Sequence, residues 1–187
     1  MPSIQFEKSL LRVRLRHRLL KIKPAAKKIK SRKIVDHLLA MDIFRKSKNV
    51  FAYVSLPAEV QTDRLILKMI AAKKNVYVPH ITKKQRHIHI FKIYDPAKDL
   101  RKGMFGILQP RPLKVRKGNP VKLDLIIVPG LGFDKNGMRL GRGGGFFDRF
   151  LKKTQKAYKI GLAFREQVVN KIPKEAHDIP VDRLITA

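Results

Sequence analysis

The sequence predicts one α/β domain over residues 1–187, a three-layer sandwich around a mainly parallel sheet. Three observations support this prediction. Short runs of strand-forming residues alternate along the chain with segments whose apolar residues recur at helical spacing. The length of 187 residues and the hydrophobic content of 44% suit a single globular core. Several of the apolar runs end at proline or glycine, which is typical of a strand followed by a loop.

Three helices are predicted in the first half of the chain. The first covers residues 8–22, and Pro24 is expected to end this helix or to bend the chain. The second follows directly, and Thr62 is expected to cap the third. The apolar stripes predicted for these helices are Leu11, Leu15, Leu19 and Ile22; Ile34, Val35, Leu38 and Leu39; and Leu65, Ile66, Met69 and Ile70.

Strands are predicted for the short apolar runs between and after these helices. The predicted strands are residues 50–54, 76–78, 87–91, 125–128 and 159–164. Pro57 is expected to break the first of them and Pro79 to end the second. Residues 95–122, rich in Pro, Gly and Lys, are expected to form a long, partly ordered loop, and a fourth helix is expected from about residue 146 to residue 153. Since ligands gather at the carboxyl ends of parallel strands, the loops after Val54 and Val128 are the expected ligand sites.

The charge of the chain is its most unusual compositional feature. Forty-three Lys and Arg residues against 14 Asp and Glu residues give a formal net charge of +29, spread from Lys8 to Arg183. Such a charge attracts polyanions, so nucleic-acid binding and a basic composition without a binding role stay open as alternatives. The chain has no cysteine, which excludes disulfides and thiolate chemistry. No apolar run approaches the ~20 residues that span a bilayer and no export signal is evident, so we expect a cytoplasmic monomer with no membrane partner.

The most informative stretch runs from Pro129 to Arg149 and reads PGLGFDKNGMRLGRGGGFFDR. Its glycines lie directly before the fourth predicted helix, where backbone N–H groups can approach an anion closely. Arg139 and Arg142 can pair with phosphate oxygens, and Asp148 can hold a magnesium ion that bridges them. The stretch lacks the Gly-Lys-Ser/Thr of a Walker A loop and the third glycine of a dinucleotide fingerprint. On the residues alone, a structural turn remains the alternative.

This stretch resembles the signature of the 5-formyltetrahydrofolate cyclo-ligase (5,10-methenyltetrahydrofolate synthetase) family, PG-x-x-FD-x-x-G-x-RLG-x-G-x-G-YYD. The resemblance continues in order along the chain, in KSLLR from Lys8, SLPAEV from Ser55 and FGILQP from Phe105. It ends with LAFREQ from Leu162 and HDIPVD from His177. Each block is short, but together they cover almost the whole chain.

The resemblance implies a reaction and its ligands. Members of the family use ATP and Mg2+ to convert 5-formyltetrahydrofolate to 5,10-methenyltetrahydrofolate, with release of ADP and phosphate. The expected partners are therefore ATP and a folate, including its polyglutamylated forms, while nucleic acid is expected only as non-specific electrostatic binding. The protein is expected to position the reactants and to neutralise charge on the transferring phosphoryl group.

The resemblance also assigns residues to these tasks. The expected ATP-binding residues are Lys8, Arg12, Arg139, Leu140, Gly141, Arg142, Gly143, Gly144, Gly145, Phe146 and Phe147. The expected folate-binding residues are Val54, Glu59, Phe105, Arg142, Gly143, Gly144, Gly145 and Phe146. Catalytic roles are expected for Arg139, Arg142 and Asp148, and magnesium ligation for Asp148 and Asp178.

Taken without the resemblance, several of these residues have ordinary alternatives. Lys8 and Arg12, one helical turn apart, also suit a solvated basic face. Asp178 suits a turn before Pro180, and Glu59 suits a cap near the third helix. The six histidines show no metal-binding pattern, and His177 is hypothesised to orient Asp178.

Two departures from the family pattern stand out. Phe146 and Phe147 replace a Tyr-Tyr pair, so any contact made by a tyrosine hydroxyl is absent here. Residues 24–27, Pro-Ala-Ala-Lys, replace a Ser-x-Glu-Glu segment, and this exchange of acids for a base adds to the positive charge.

Overall fold

The computed structural model describes residues 3–81, 87–103, 106–111 and 115–187. Its helices are α1 Ile4–Leu20, α2 Pro24–Ala40, α3 Asp42–Lys46, α4 Asp63–Ala71, α5 Pro96–Asp99 and α6 Phe146–Leu151. The first six strands are β1 Asn49–Phe51, β2 Asn75–Ile81, β3 Ile88–Ile93, β4 Leu100–Lys102, β5 Leu108–Pro110 and β6 Arg116–Lys117. The remaining strands are β7 Leu125–Val128, β8 Gly132–Asp134, β9 Arg139–Leu140, β10 Tyr158–Ala163, β11 Val168–Val169 and β12 Arg183–Thr186.

Seven strands form the central sheet in the order β12-β10-β7-β1-β2-β3-β6. The first five of these are mutually parallel, and β3 and β6 extend one edge in antiparallel pairing. A small sheet, β11-β8-β9, and a hairpin, β4-β5, complete the strands. The prediction of a mainly parallel sheet is confirmed.

The core lies on both faces of this sheet, because successive strand residues point in opposite directions. In β1, Val50 packs in a cluster with residues of α1, α2 and α4, whereas its neighbour Phe51 packs in a second cluster with Phe150 of α6 and Phe133 of β8. In β7 the same alternation divides the four residues between the two clusters. The predicted three-layer sandwich is therefore confirmed.

The first two helices differ in their limits from the prediction. Ser3 caps α1, and its hydroxyl accepts a hydrogen bond from the backbone N–H of Phe6, so the helix begins four residues earlier than expected. The helix ends at Leu20, and Pro24 lies beyond it as the first residue of α2. Proline suits that position because the first helical N–H needs no partner within the helix.

Thr62 precedes α4 as expected, but its side chain does not cap the helix. The Thr62 hydroxyl donates instead to the backbone carbonyl of Tyr53, 2.7 Å away, and so ties the start of α4 to the chain after β1. The prediction of a capping threonine is therefore wrong in its contact. The strand itself ends at Phe51, although the N–H of Ala52 still donates to the carbonyl of Tyr77 in β2, and residues 52–54 continue as buried chain.

Pro79 does not end the second strand, because β2 continues through it to Ile81. Its register partner is Ile90 of β3, whose carbonyl oxygen accepts a hydrogen bond from Gly118 on the opposite side. Pro79 and Ile90 therefore form a pair without mutual hydrogen bonds, and the proline nitrogen faces the side on which β1 has already ended. No ladder hydrogen bond is lost there, which is why proline is tolerated.

Residues 95–122 contain more regular structure than the predicted loop. Asp95 caps the short helix α5 by accepting from the N–H of Ala97, and β4 and β5 then pair as an antiparallel hairpin. After β6, Asn119 caps a turn of 3₁₀ helix at Pro120–Lys122.

Among the described helices, none has the length and apolar character to cross a membrane.

Candidate active site

A cavity of about 640 Å3 opens where the loops after β1 and β7 meet the stretch before α6. Its lining includes Tyr53, Val54 and residues 56–59 after β1, and residues 129–131 after β7. Most of the lining is apolar, including Val54, Ile81 and Ile107. The polar side chains in the lining are Glu59, Gln109, Arg139, Arg142 and Asp148. The loops expected to carry ligands thus border one cavity at the carboxyl end of the sheet.

The segment 141–145, the glycine loop, passes between this cavity and helix α1. Gly141, Gly144 and Gly145 line the cavity. Gly143 has φ +104° and Gly145 has φ +63°, so the loop uses backbone conformations that favour glycine. On the other side, Arg12 of α1 donates from Nε to the carbonyl oxygen of Gly141 at 3.0 Å. The loop is therefore anchored to α1 while its inner side faces the cavity.

Arg139 is buried beside the loop, with only 6% of its surface exposed. Its Nη2 donates to Oδ1 of Asp148 at 2.6 Å, and its guanidinium lies 5.6 Å from the ring centroid of Phe147. The pair joins two residues that the resemblance assigns to different ligands, phosphate and metal. The Oδ2 atom of Asp148 accepts no hydrogen bond from any described residue and Asp148 lines the cavity.

Glu59 and Arg142 form the second ion pair at the cavity. Arg142 Nη2 lies 3.1 Å from Glu59 Oε1, and the backbone N–H of Leu56 donates to Oε2 at 2.9 Å. Arg142 is half exposed, whereas the Glu59 carboxylate is mostly buried. Glu59 therefore faces the cavity and does not act as a helix cap.

Lys8 lies on the buried side of α1, with 4% of its surface exposed, so it is not part of a solvated basic face. Its Nζ is 2.6 Å from Asp178 Oδ2 and 2.7 Å from Glu175 Oε2. Burial acts to lower the pKa of Lys8, but its hydrogen bonds to the two carboxylates outweigh burial and raise that pKa. The pKa of Asp178 is lowered, since the contact with Lys8 outweighs the opposite effect of burial.

Glu175, His177 and Asp178 place three ligand-type atoms within 4.8 Å of one another. His177 does not hydrogen-bond Asp178, because Nε2 is 3.9 Å from Oδ1. Lys8 and the backbone N–H of Glu175 hold Asp178 instead, which corrects the hypothesis that His177 orients it. The oxygen donors of Asp148 and Asp178 are of the type that Mg2+ prefers, so these residues fit the ion in chemistry.

The remaining predicted residues are distributed unevenly. Phe146 lines the cavity, and Phe147 both lines it and packs against Phe51. Leu140 is buried in β9, where its backbone carbonyl accepts from Leu131, and it does not line the cavity. Phe105 lies outside the described residues.

Three residues near the site were not predicted. Glu175 and Asp178 both pair with Nζ of Lys8. The only sign of this in the sequence is that Glu175 lies three residues before Asp178. Arg149 donates to the carbonyl of Gly144 at 2.9 Å and lies over the ring of Phe146. Gln109 lines the cavity from β5, within a block that the resemblance matched but to which it assigned no role.

The family model of the 5-formyltetrahydrofolate cyclo-ligase family matches residues 4–187. The chain belongs to this family. The chain is 32% identical over 197 residues to a probable 5-formyltetrahydrofolate cyclo-ligase of Caenorhabditis elegans, covering 99% of this chain and 95% of that protein. It is 36% identical over 151 residues to the 5-formyltetrahydrofolate cyclo-ligase of Haemophilus influenzae, covering 79% of this chain and 80% of the relative.

Solved structures of two methenyltetrahydrofolate synthetases share the fold of this chain. The Aquifex aeolicus structure superposes with a TM-score of 0.84 at 34% identity, covering 96% of this chain and 89% of that chain. The Mycoplasma pneumoniae structure gives a TM-score of 0.75 over 95% of this chain and 97% of that chain, and at 22% identity it supports the fold alone. The chain is thus a member of an enzyme family, and the predicted family resemblance is confirmed.

Proposed function

We propose that this protein converts 5-formyltetrahydrofolate to 5,10-methenyltetrahydrofolate in a reaction that depends on ATP and Mg2+. The observation that carries the proposal is the position of the glycine loop. It lies between α1, which supplies Arg12, and a cavity that contains Glu59 and Asp148. One loop can therefore serve a nucleotide and a second, mostly apolar ligand at the same time.

The reaction requires activation, because the formyl oxygen of an amide is a poor leaving group. That oxygen attacks the γ-phosphorus of ATP, and the bond to ADP breaks. The neighbouring aniline nitrogen then attacks the activated carbon, loses its proton, and phosphate departs with the former formyl oxygen. The protein contributes by holding the two substrates in line and by neutralising charge.

The cavity offers groups for each part of the folate and of the nucleotide. Glu59 accepts hydrogen bonds, as the amino group and ring N–H of a pterin require. Val54 and Phe146 supply apolar walls for the ring. Arg142 lies at the exposed side of Glu59 and suits the phosphate chain.

Mg2+, when bound, neutralises phosphate charge and orients the leaving ADP. Asp148 and Asp178 are the residues that would hold it. In the described structure each of these carboxylates already pairs with a buried cation, Arg139 or Lys8. We propose that these cations pair with phosphate oxygens once the nucleotide is present, so that each carboxylate exchanges its partner.

The first test is an assay of purified protein with 5-formyltetrahydrofolate and ATP, following the absorbance of methenyltetrahydrofolate. We expect product only when ATP and Mg2+ are both present, and we expect Asp148→Asn to lower kcat by about a hundredfold or more. Asp42→Asn is the matched control, since Asp42 is exposed on α3. An Asp148→Asn variant as active as the control would remove Asp148 from the mechanism, and a folded wild type without product would refute the proposed reaction.

Three further features of the proposed function follow from the sequence. The basic surface suits folates that carry polyglutamate tails, because each added carboxylate is attracted to it. A monomer and a cytoplasmic location complete the proposal. Size-exclusion chromatography with light scattering tests the oligomeric state, and localisation of a tagged full-length chain tests the cytoplasmic location.

A further inference from the structure

Gln109 is a buried amide in the wall of the active-site cavity. It lies in β5 with 5% of its surface exposed, and β5 pairs with β4 in a hairpin that places Gln109 opposite Arg101. A polar side chain buried at this level needs hydrogen-bond partners. The part of the chain that the structure describes provides a partner for only one end of the amide.

The orientation of the amide is fixed by the backbone of β2. The N–H of Ile81 donates to Oε1 of Gln109 at 3.0 Å, and only an oxygen can accept that bond. The NH2 group is therefore the end that remains available. Within the described residues, none accepts a hydrogen bond from Nε2, although Gln109 is part of the cavity lining.

Gly103 leaves room for this arrangement. A Cβ atom at Gly103 would lie 2.9 Å from Nε2, Cδ and Cγ of Gln109, so any side chain there would displace the amide. The hairpin thus packs closely behind Gln109 and holds it against the cavity. The donor is fixed in position before a ligand binds, which lowers the entropy lost on binding.

The other polar group on this cavity that suits a heterocycle is the Glu59 carboxylate, an acceptor. A mainly apolar cavity with a fixed amide donor and a fixed carboxylate acceptor suits a flat ring whose edge carries both kinds of group. The pterin ring of a reduced folate has such an edge, with an amino group and a ring N–H beside a carbonyl oxygen. Glu59 matches the donors of that edge, and the Gln109 NH2 group matches its carbonyl.

We infer that Gln109 donates from Nε2 to the ring carbonyl of the pterin and so selects oxo-pterins over pteridines that carry an amino group at that position. The inference rests on the proposed function, because it names a contact within the same site. In an amino-substituted ring, the ring amino group would face the Gln109 NH2 group, and two donors would be buried without acceptors. This unfavourable contact discriminates between the two rings more strongly than the loss of one hydrogen bond.

Gln109→Glu provides the test, because a carboxylate oxygen still accepts from the N–H of Ile81 while the donor is lost. We expect the KM for 5-formyltetrahydrofolate to rise about tenfold and the KM for ATP to stay unchanged. A glutamic acid regains a donor when it is protonated, so the folate KM of the variant should fall as the pH is lowered. The variant should also be inhibited more strongly, relative to its folate KM, by a 4-amino-4-deoxy folate analogue.

Gln155→Glu is the matched control, since it makes the same charge change at an exposed position outside the cavity. Gln109→Met, of similar length and without charge, should raise the folate KM without the pH dependence. Wild-type folate affinity in Gln109→Glu at every pH, or an unchanged preference between oxo and amino rings, would overturn the inference.

Direct calorimetric binding of 5-formyltetrahydrofolate separates this inference from the proposed reaction. Binding by wild type without turnover would refute the reaction, while weaker binding by both Gln109 variants would still support the contact. If wild type does not bind the folate, both the reaction and the role of Gln109 are refuted.

Discussion

Single residues in this site are paired in a way that links the two expected ligand sets. Lys8 and Arg139 are expected to bind phosphate, and Asp178 and Asp148 to bind metal, yet each cation contacts one of these carboxylates at 2.6 Å. Buried charges need such partners, because an unpaired charge in the interior is strongly destabilising. In this structure the residues expected to hold phosphate are therefore paired with the residues expected to hold metal.

Replacing Lys8 by Met tests this arrangement through stability. The side chains of Lys8 and Asp178 are both at least nine-tenths buried, so we expect a loss of about 3 kcal/mol in the free energy of unfolding at neutral pH. Lys46→Met, at an exposed position of α3, should change it little. Urea denaturation of the three proteins at the same ionic strength measures both effects.

The directions of two pKa shifts predict how the stability difference between wild type and Lys8→Met changes with pH. The pKa of Asp178 lies below its ordinary value of 3.8, so its ion pair stabilises the fold above that pH and loses its effect as the pH falls through the folded-state pKa. The pKa of Lys8 is raised, so its contribution is present below 10.5 and is lost as the pH rises through the higher folded value. The stability difference between wild type and Lys8→Met should therefore shrink at both extremes, and a constant difference across pH would contradict the ion-pair account.

The sequence singled out most members of these ion pairs but not their contacts. Lys8, Arg139, Asp148 and Asp178 were all assigned through the family resemblance. The contact between Lys8 and Asp178 joins positions 170 residues apart, and no local pattern encodes such a pairing. Glu175 was missed for the same reason, since an acid in a polar segment has no signal until the fold brings a cation to it.

At the scale of elements, the longer helices and the strongly apolar strands were predicted, but several strands of two or three residues were not. The strand at residues 125–128 was predicted with its observed limits, because its apolar run is buried on both faces. The strands β4, β5 and β6 have two or three residues each, too few to show an alternation. Their pairing depends on neighbours in the sheet, as does the tolerance of Pro79 within β2.

The glycine loop contains two positions whose backbone conformation should make them sensitive to substitution. Gly143 has φ +104°, outside the left-handed helical region that Asn can adopt, whereas Gly145 at φ +63° lies within it. We expect Gly143→Ala to lower stability by about 1–3 kcal/mol and to raise the KM for ATP, since the loop must shift to relieve strain. Gly145→Asn should have the smaller effect on both. Thermal unfolding measures the change in stability, and initial rates at varied ATP concentration measure the change in KM. Equal effects of the two substitutions would contradict the conformational argument.

At the scale of the whole molecule, alternating strands and helices were sufficient to predict the fold class. The order of strands in the sheet was not predictable, because it depends on long-range contacts that periodicity does not contain. The few acidic residues also have a distribution that only the structure shows. Of the 14, Glu59 and Asp148 line the cavity, and Glu175 and Asp178 both pair with Lys8 of α1.

Several of the remaining carboxylates accept from backbone N–H groups within the fold. Asp124 binds Lys48 and Asn49, and the buried Asp134 binds Asn136, Met138 and Ile172. These carboxylates are hydrogen-bonded to the backbone. Few other acidic residues face solvent to balance the charge of the 43 basic residues. The excess positive charge therefore lies mainly at the solvent-facing surface, where it attracts polyanions.

We expect the protein to bind single-stranded RNA of random sequence at low salt, because its cations displace condensed counterions from the phosphates. The logarithm of the binding constant should fall linearly with the logarithm of salt concentration, with a slope of about −0.7 per phosphate contacted and no dependence on sequence. Fluorescence anisotropy measures the slope, and the ring-closure assay in the same buffers measures turnover with and without RNA. Since the ion pairs of Lys8 with Asp178 and of Arg139 with Asp148 are buried, turnover without RNA should persist at salt concentrations that abolish RNA binding, and RNA should inhibit only below them. Binding that resists salt and selects one sequence would instead assign the basic surface to specific nucleic-acid recognition.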